Sequence, residues 1–599
     1  APGAPRLALP FRAGPVALPA SAQLPAPDHG PAPTGTVLDR IAGAVSGPGP
    51  RAHRVWVPPL AEPPPLPVVL GDPLIRAGRG LCAPGPVGRL AAPVGLVDRP
   101  YAQRRDPLVL DLSGAAGHLA VVGGPRSGKS TALRTVVTAL ALTHTPGELG
   151  VHVLDLGGGT LAPLAGLPHV GTVADRRAGD LVRRVVAETV AAVDEREQLF
   201  AAHGVAGIEE FRARRAAGGF AGVTATDLLL VVDGYAALRA GFEDLDEKLT
   251  ALAARGLAYG VHLALSAARW AEIRPALKDQ LGSRVELRLG DPSDSEVDRR
   301  RAAAVPALPG HGLSADGEVT VLAAPCLVPG TDPAREIDDA WDGPSVGPVR
   351  LLPTRIEVAE LPPGPGRGPA LGVDEDRLAT VELDPDEPHL LCFADSGGGK
   401  TTLLRTLAHG IAARWTPEQA RMVVVDHRRT LLGGVPQSHL LAHTSTAQAT
   451  TDACAEIAGS LGRRLPGPDV TPAQLRERSW WSGPDVWLLV DDYDLVVPAA
   501  GSAGTHPLLA LAEYLPQARD VGLHVVLARR TGGAGRALFD PVLGRLRELG
   551  APGLVGSGSP DEGALLEKVR PGPMPPGRGV LVDRRTGARR VQLAWTEPG

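Results

Sequence analysis

Two lysines sit where lysine does phosphate chemistry. Gly123-Gly124-Pro125-Arg126-Ser127-Gly128-Lys129-Ser130 fits G-x-x-x-x-G-K-[ST] in full. The apolar run Leu119-Ala120-Val121-Val122 precedes it, and a helical pattern (Leu133, Val136, Val137, Leu140) follows, which is the setting that gives the motif meaning. Glycines let backbone N–H groups converge on phosphate oxygens, and the helix start adds partial positive charge. Lys129 is expected to reach the β and γ phosphates and Ser130 to hold Mg²⁺, with Thr131 completing the cradle. Ala394-Asp395-Ser396-Gly397-Gly398-Gly399-Lys400-Thr401, followed by Thr402, is a second such loop. It departs at its first position, where Ala394 replaces Gly, and Ala is tolerated if its φ stays negative.

Two apolar strands end in an acid, Asp233 and Asp491. Each is placed to hold Mg²⁺ beside the loop hydroxyl, so Ser130, Asp233, Thr401 and Asp491 form the expected metal set. RecA-type ATPases usually put a water-polarising glutamate next, but here Gly234 and Asp492 follow. Gly234 can do no base chemistry, and Asp492 is one methylene short of glutamate. Such a base is typically worth about 10²–10⁴ in rate. The expected catalytic set is therefore Lys129, Asp233, Lys400, Asp491 and Asp492, with tight ATP binding and slow hydrolysis, slowest at the first site.

Other residues have two readings. Asp155 and Asp426, after the second strand of each unit, either face a neighbouring subunit or shape tight loops. Ser266 ends a strand where a polar sensor is common, whereas Ala528 cannot serve as one. Arg269, Arg274, Arg529 and Arg530 are trans-acting arginines, γ-phosphate sensors or, more commonly for such residues, solvated surface. Pro309-Gly310-His311-Gly312 and Pro576-Gly577-Arg578-Gly579 are expected to shape adenine-side turns.

An internal repeat positions all of this. His118 and His389 are 271 residues apart, as are Lys129 and Lys400, and Asp155 and Asp426. Element order persists while loop lengths drift, as expected of homologous domains. Continuous apolar strands alternating with helical patterns predict an α/β fold with parallel sheets buried on both faces. The expectation is two tandem RecA-like P-loop ATPase domains with Pro-rich linkers: linker over 1–50, units over 51–335 and 336–599. Within 1–50, Val37–Ile41 is expected to form at most a helical turn.

Composition narrows the function. Of 599 residues, 44% are hydrophobic and 21% charged, ordinary for a globular protein. Gly (74) and Pro (60) fit ordered units joined by linkers. A net charge of −5 disfavours non-specific nucleic-acid binding. Cys82, Cys326, Cys392 and Cys454 are widely spaced without a CxxC, arguing against a zinc site and for a reducing compartment. No apolar run is long enough to span a bilayer. The chain starts at Ala1 without Met or a signal-peptide pattern, which predicts a piece of a longer polypeptide.

Taken together, these residues resemble the tandem C-terminal ATPase domains of EccC, the FtsK/SpoIIIE-type motor of type VII (ESX) secretion. The likeness also runs through His53–Leu60, Gly95–Asp98, Asp111–Ser130, Gly166–Gly171, Gly282–Glu296, Val349–Thr354, Gly522–Arg547 and Pro575–Gly579. It implies ATP and Mg²⁺ as ligands, WXG100 (Esx) helical-hairpin substrates, and membrane-embedded secretion subunits or a separate N-terminal half as partners. A homo-hexamer in the assembled machine and a cytoplasmic site at the inner membrane face are also implied. The degenerate acid pairs resemble the family's second and third ATPase domains.

Val55–Leu60 and Val349–Thr354 are extended, Pro-limited segments leading into each unit. Each is expected to dock in an apolar groove on the preceding unit, leaving the last unit's groove free for a substrate's C-terminal amphipathic helix. The competing readings are an FtsK/HerA-like DNA translocase, disfavoured by charge and the lack of a basic tail, and a non-hydrolytic nucleotide-gated scaffold.

Overall fold

The computed structural model describes residues 36–46, 57–60, 62–85, 87–497 and 506–597. The chain divides into Ala1–Val57 and Pro58–Gly599. In the first part the described element is a helix, Val37–Val45, longer than the single turn expected. Thr36 caps it, accepting from the Asp39 N–H while Asp39 accepts from the Thr36 N–H. This capping box supplies two of the partners that a helix start lacks. The upstream half of Val55–Leu60 lies outside the described residues.

Pro58–Gly599 holds two ten-stranded sheets with the same strand order. In the first, six parallel strands run Ser283–Leu287, Leu119–Val122, Val261–Ala267, Asp227–Asp233, Leu149–Asp155, Val170–Asp175. In the second the equivalents are Gly553–Val555, His389–Phe393, Leu523–Arg529, Asp485–Val490, Ala420–Val425, Leu440–Thr444. The parallel α/β expectation is correct for these strands but incomplete. Four antiparallel strands extend each sheet: His311–Leu313, Val319–Leu322, Ala91–Arg99 and Arg104–Asp111 in the first, and Arg578–Asp583, Gly587–Leu593, Ala370–Asp374 and Thr380–Glu382 in the second. Tight turns join them into antiparallel pairs. Asp583, for example, accepts from the Arg585 and Thr586 N–H groups and reverses the chain into Gly587.

The phosphate-loop strands are apolar at every position because both faces are covered. Leu119 and Val121 pack with Leu133, Val136 and Val137 of helix Lys129–Ala141, whereas Ala120 and Val122 pack with Val182, Val185, Leu245 and Leu249 on the other side. Leu390 and Cys392 likewise meet Leu403, Leu404 and Leu407, while Leu391 and Phe393 face the opposite layer. All four cysteines are free thiols. Among the described residues no helix is long and apolar enough to cross a membrane.

The linker between the halves docks against the edge strand Val170–Asp175 through Val346–Arg350. Only the start of the expected segment Val349–Thr354 therefore lies on the first half, and Leu352 and Pro353 are held by Arg578 of the second. The Val346 N–H donates to Pro168 O (2.9 Å) and the Val349 N–H to Thr172 Oγ1 (2.8 Å). Val349 joins the first half's core. Buried Arg184 donates to Arg350 O (3.0 Å) and to Asp376 O (2.8 Å). Gly171 permits this approach: a Cβ there would lie 2.4 Å from Gly347 O.

His118 and His389 are a repeated structural pair. His118 Nδ1 accepts from the Leu263 N–H (2.9 Å) while Nε2 faces Ala253 O (2.9 Å). His389 Nδ1 accepts from the Val525 N–H (3.3 Å). A ring nitrogen that accepts must be unprotonated, so both imidazoles are held neutral. Burial, outweighing those backbone contacts, pushes each down to about 4. Below pH ~6.5 the unfolded chain binds protons that the folded chain refuses, so stability rises with pH across that window and falls on acidification. Urea midpoints should drop between pH 7 and 5, and replacing both histidines with Gln should flatten that drop; an unchanged slope would refute the account.

Candidate functional site

Both phosphate loops close by the same backbone geometry. Gly128 and Gly399 each have φ of +101° immediately before the helix. A side chain there would be strained, and a Cβ would also meet Gly310 N at 3.0 Å or the Gly577 Cα at 2.9 Å. These contacts bring the Pro-Gly turns onto the loops: the Gly310 N–H donates to Ser127 O (2.8 Å) and the Gly577 N–H to Gly398 O (3.1 Å). Ala394 is fully buried and is not among the residues with positive φ, which is why Ala serves where Gly is usual. Arg126 holds φ of +59° at the exposed tip beside Pro125.

In the first loop Lys129 Nζ donates to Gly123 O (2.8 Å) and Gly124 O (2.9 Å). Burial pushes its pKa down, opposed by the negative charge of Asp233 and Glu272. Ser130 Oγ donates to Asp233 Oδ2 (2.7 Å), and Ser266 Oγ to Asp233 Oδ1 (2.5 Å). Ser266 also accepts from the Gly234 N–H (2.8 Å), so the expected polar sensor is joined to the acid.

The second loop repeats the central bond: Thr401 Oγ1 donates to Asp491 Oδ2 at 2.6 Å. Its other supports differ. With no hydroxyl at Ala528, Asp491 Oδ1 accepts the Asp492 N–H (3.0 Å), and Thr430 Oγ1 donates to Oδ2 (3.1 Å). Burial raises the Asp491 pKa; the Thr401 bond opposes the shift and the Asp492 charge adds to it. Asp492 lies 3.6 Å from Lys400 Nζ and 3.1 Å from Arg428 Nη1. Its carboxylate is thus an ion-pair partner of the loop lysine. Asp395 accepts from Thr531 through its side chain and from Lys400 through its carbonyl.

The residue after each acid is left-handed, Gly234 at φ +86° and Asp492 at +44°. Glycine adopts that conformation freely; a glutamate would be strained there. Asp155 and Asp426 resolve as loop formers: Asp155 accepts from the Gly159 and Leu161 N–H groups, and Asp426 from Arg428 and Leu431. Three of the arginines are committed within the chain. Arg274 meets Asp246 at 2.6 Å, Arg530 meets Asp494 at 2.7 Å, and Arg529 donates to Arg530 O and Gly532 O. Arg269 stays largely exposed, 3.9 Å from Glu272.

A cavity of about 460 Å³ opens over the second loop, within the size range of small-ligand pockets. Ser396, Gly397, Lys400, Thr401 and Thr402 line one end. Thr354, Arg355, Asp492, Gly577 and Trp595 are among the other lining residues. Pro576 also lines this cavity, with Gly577 packed on the phosphate loop. Arg355, Arg428, Thr430 and Trp595 were missed; only the lone tryptophan near the C-terminus offered a signal. Both loops suit a triphosphate with Mg²⁺. Ser127 Oγ is buried without a hydrogen-bond partner among the described residues, and each hydroxyl–carboxylate pair matches how Mg²⁺ is held when phosphates and waters fill its remaining positions.

Residues 89–329 match the FtsK/SpoIIIE family. The chain is 36% identical over 593 residues to the ESX-1 secretion system protein EccCb1 of Mycolicibacterium smegmatis, covering 94% of this chain and 96% of that one. The chain belongs to the EccC family. It is 46% identical over 578 residues to the ESX secretion system protein EccC of Thermomonospora curvata, covering 94% of itself but 44% of that protein. It thus spans under half the length of that EccC relative. A solved structure described as Thermomonospora curvata EccC (ATPases 2 and 3) in complex with a signal sequence peptide superposes with a TM-score of 0.83 at 47% identity. That match covers 91% of this chain and all of the other. The family accounts for both tandem sheets and the paired loops.

Ser266→Ala would remove a bond to the buried Asp233 and leave the Gly234 N–H without its acceptor. It should lower stability by about 1–3 kcal/mol. Denaturant titration of wild type and variant checks this; a change below the error of the fit would mean water replaces the hydroxyl at no cost.

Proposed function

We propose that this chain is the tandem nucleotide-binding end of an ESX secretion ATPase. It holds Mg·ATP in both loops, hydrolyses it slowly, and recruits WXG100-type substrates through its second half. Ser130 and Thr401, with Asp233 and Asp491, would hold the metal, and Lys129 and Lys400 the phosphates. Mg²⁺ supplies charge neutralisation at the β and γ phosphates. In this reading the chain's own residues orient the triphosphate without supplying a strong base. Gly234 has no side chain, and Asp492 is paired with Lys400 and Arg428. ATP would act chiefly to stabilise assembly, with faster turnover in a partner ATPase of a membrane-associated hexamer on the cytoplasmic side.

The observation that carries the substrate reading is the occupied groove of the first half. Edge strand Val170–Asp175 is covered by the linker, whereas its counterpart Leu440–Thr444 is the last parallel strand of the second sheet. The register places Leu441 where Gly171 stands, and Leu441 is 54% exposed. Leucine at that position blocks the close backbone approach that the linker makes at Gly171. It offers an apolar anchor instead, which suits the face of an amphipathic helix. The peptide-bound EccC structure from Thermomonospora curvata supports this direction.

Protein purified from cells should carry two equivalents of intact ATP, one lost with Lys129→Ala and one with Lys400→Ala. Single-turnover assays should show hydrolysis well below that of a motor ATPase. A fluorescent WXG100 C-terminal peptide should bind, and Leu441→Asp should weaken binding at least about tenfold. Peptide binding insensitive to Leu441, brisk turnover, or preferential salt-dependent DNA binding would each contradict the corresponding part of the reading.

A further inference from the structure

The segment that leaves the first half's groove goes straight to the second nucleotide cavity. Arg578 donates to Leu352 O (2.8 Å) and Pro353 O (2.7 Å). Three residues on, the Trp595 N–H donates to Ile356 O (2.8 Å) and the Val358 N–H to Trp595 O (3.3 Å), with Glu357 and Trp595 paired as a short parallel bridge. The chain is pinned on both sides, and Thr354 and Arg355 form the arch between the pins. Both line the cavity whose other end is the phosphate loop. The Arg355 guanidinium lies 3.7 Å from the centroid of the Trp595 ring, which lines the same cavity.

We propose that this linker is a wall of the second nucleotide site, where Arg355 and Trp595 hold the nucleobase of a purine nucleoside triphosphate, and that it relays occupancy of that site to the groove on the first half. The proposal rests on the second loop being a triphosphate site. A flat cation stacked on an indole offers a planar, polarisable surface to a purine face. The phosphate end of the cavity is lined by glycine, hydroxyl and lysine side chains, so the aromatic end is the one suited to a base.

The relay follows from chain length. Arg350 O is held by Arg184 in the first half, and Leu352 O by Arg578 in the second. Two residues span at most about 7 Å when extended, so these anchors cannot move far independently. Tightening the arch over a base therefore restrains Val346–Arg350 in its groove.

The repeat gives an internal comparison. In the first half His311 Nε2 meets Leu60 O (3.1 Å), the Ala324 N–H donates to Pro64 O (2.8 Å), and Pro65 bridges Ala324. The incoming segment is pinned in the same way, but Pro63 and Ala324 stand where Arg355 and Trp595 do. The stacked pair belongs to the second site.

The test uses the full chain carrying Lys129→Ala, which confines nucleotide to the second loop. Calorimetry compares Mg·ATP with Mg·tripolyphosphate, which has no base. Arg355→Ala and Trp595→Ala should each weaken ATP about tenfold while shifting tripolyphosphate less than about twofold. Equal losses for both ligands, or unchanged ATP affinity, would overturn the nucleobase assignment while leaving the phosphate site intact. A Lys129→Ala parent that binds neither ligand would remove the underlying reading and the proposal together. Hydrogen exchange reads the relay: Mg·ATP should slow the Val346 and Val349 amides in the parent but not with Arg355→Ala. Exchange unaltered by ATP in the parent would overturn the relay.

Discussion

The bond between a loop hydroxyl and a strand-end carboxylate organises each half of this protein. Ser130–Asp233 and Thr401–Asp491 join the first turn of the phosphate-loop helix to a strand two places away in the sheet, at 2.7 and 2.6 Å. Each carboxylate is buried, and a buried charge is tolerated only with donors around it. The surrounding structure supplies those donors. That requirement fixes the helix start, the strand end and the loop beyond it in one geometry. The same geometry presents a hydroxyl and a carboxylate side by side to a divalent cation.

The halves satisfy the carboxylate differently, and the differences bear on function. In the first, Ser266 reaches Asp233 from the neighbouring strand and also accepts the Gly234 N–H. In the second, with no hydroxyl at Ala528, Asp491 Oδ1 takes the Asp492 N–H directly, and Thr430 joins Thr401 on Oδ2. Asp492 then turns to Lys400 and Arg428. A nucleotide's terminal phosphate would compete with Asp492 for the same lysine. The backbone is left-handed at both Gly234 and Asp492, a conformation that glycine adopts without the cost a Cβ brings.

How much was legible follows from where the information lies. A phosphate loop concentrates its chemistry in eight contiguous residues between a strand and a helix, so both loops and their terminal hydroxyls could be read directly. Asp233 and Asp491 were legible because each ends an apolar strand and the repeat aligned them. Ser266 was legible for the same reason. Thr430, Arg428, Arg355 and Trp595 were not, because they reach the second cavity from three separated segments and only tertiary folding brings them together. The antiparallel strands were missed because their patterns are weak. Ala91–Arg99 contains Pro93 and Gly95, and its ladder shifts register between them. Asp155 and Asp426 could be resolved only by seeing which N–H groups their oxygens accept.

The linkers show how duplication and divergence act together. The linkers' backbone carbonyls are met by a side chain at the same place in each half, Leu60 O by the His311 ring and Leu352 O by the Arg578 guanidinium, and main-chain bridges form at Ala324 and Trp595. On the linker side these contacts survive sequence drift because they use backbone atoms alone. Side chains then differentiate the copies, with Gly171 against Leu441 at the edge strands and Pro63 against Arg355 at the arches. A glycine at the first edge admits an extended segment of the same chain; a leucine at the second does not. One scaffold therefore gives a half whose edge strand carries the chain's own linker and a half whose edge strand presents Leu441 instead, without any change in the order of its strands.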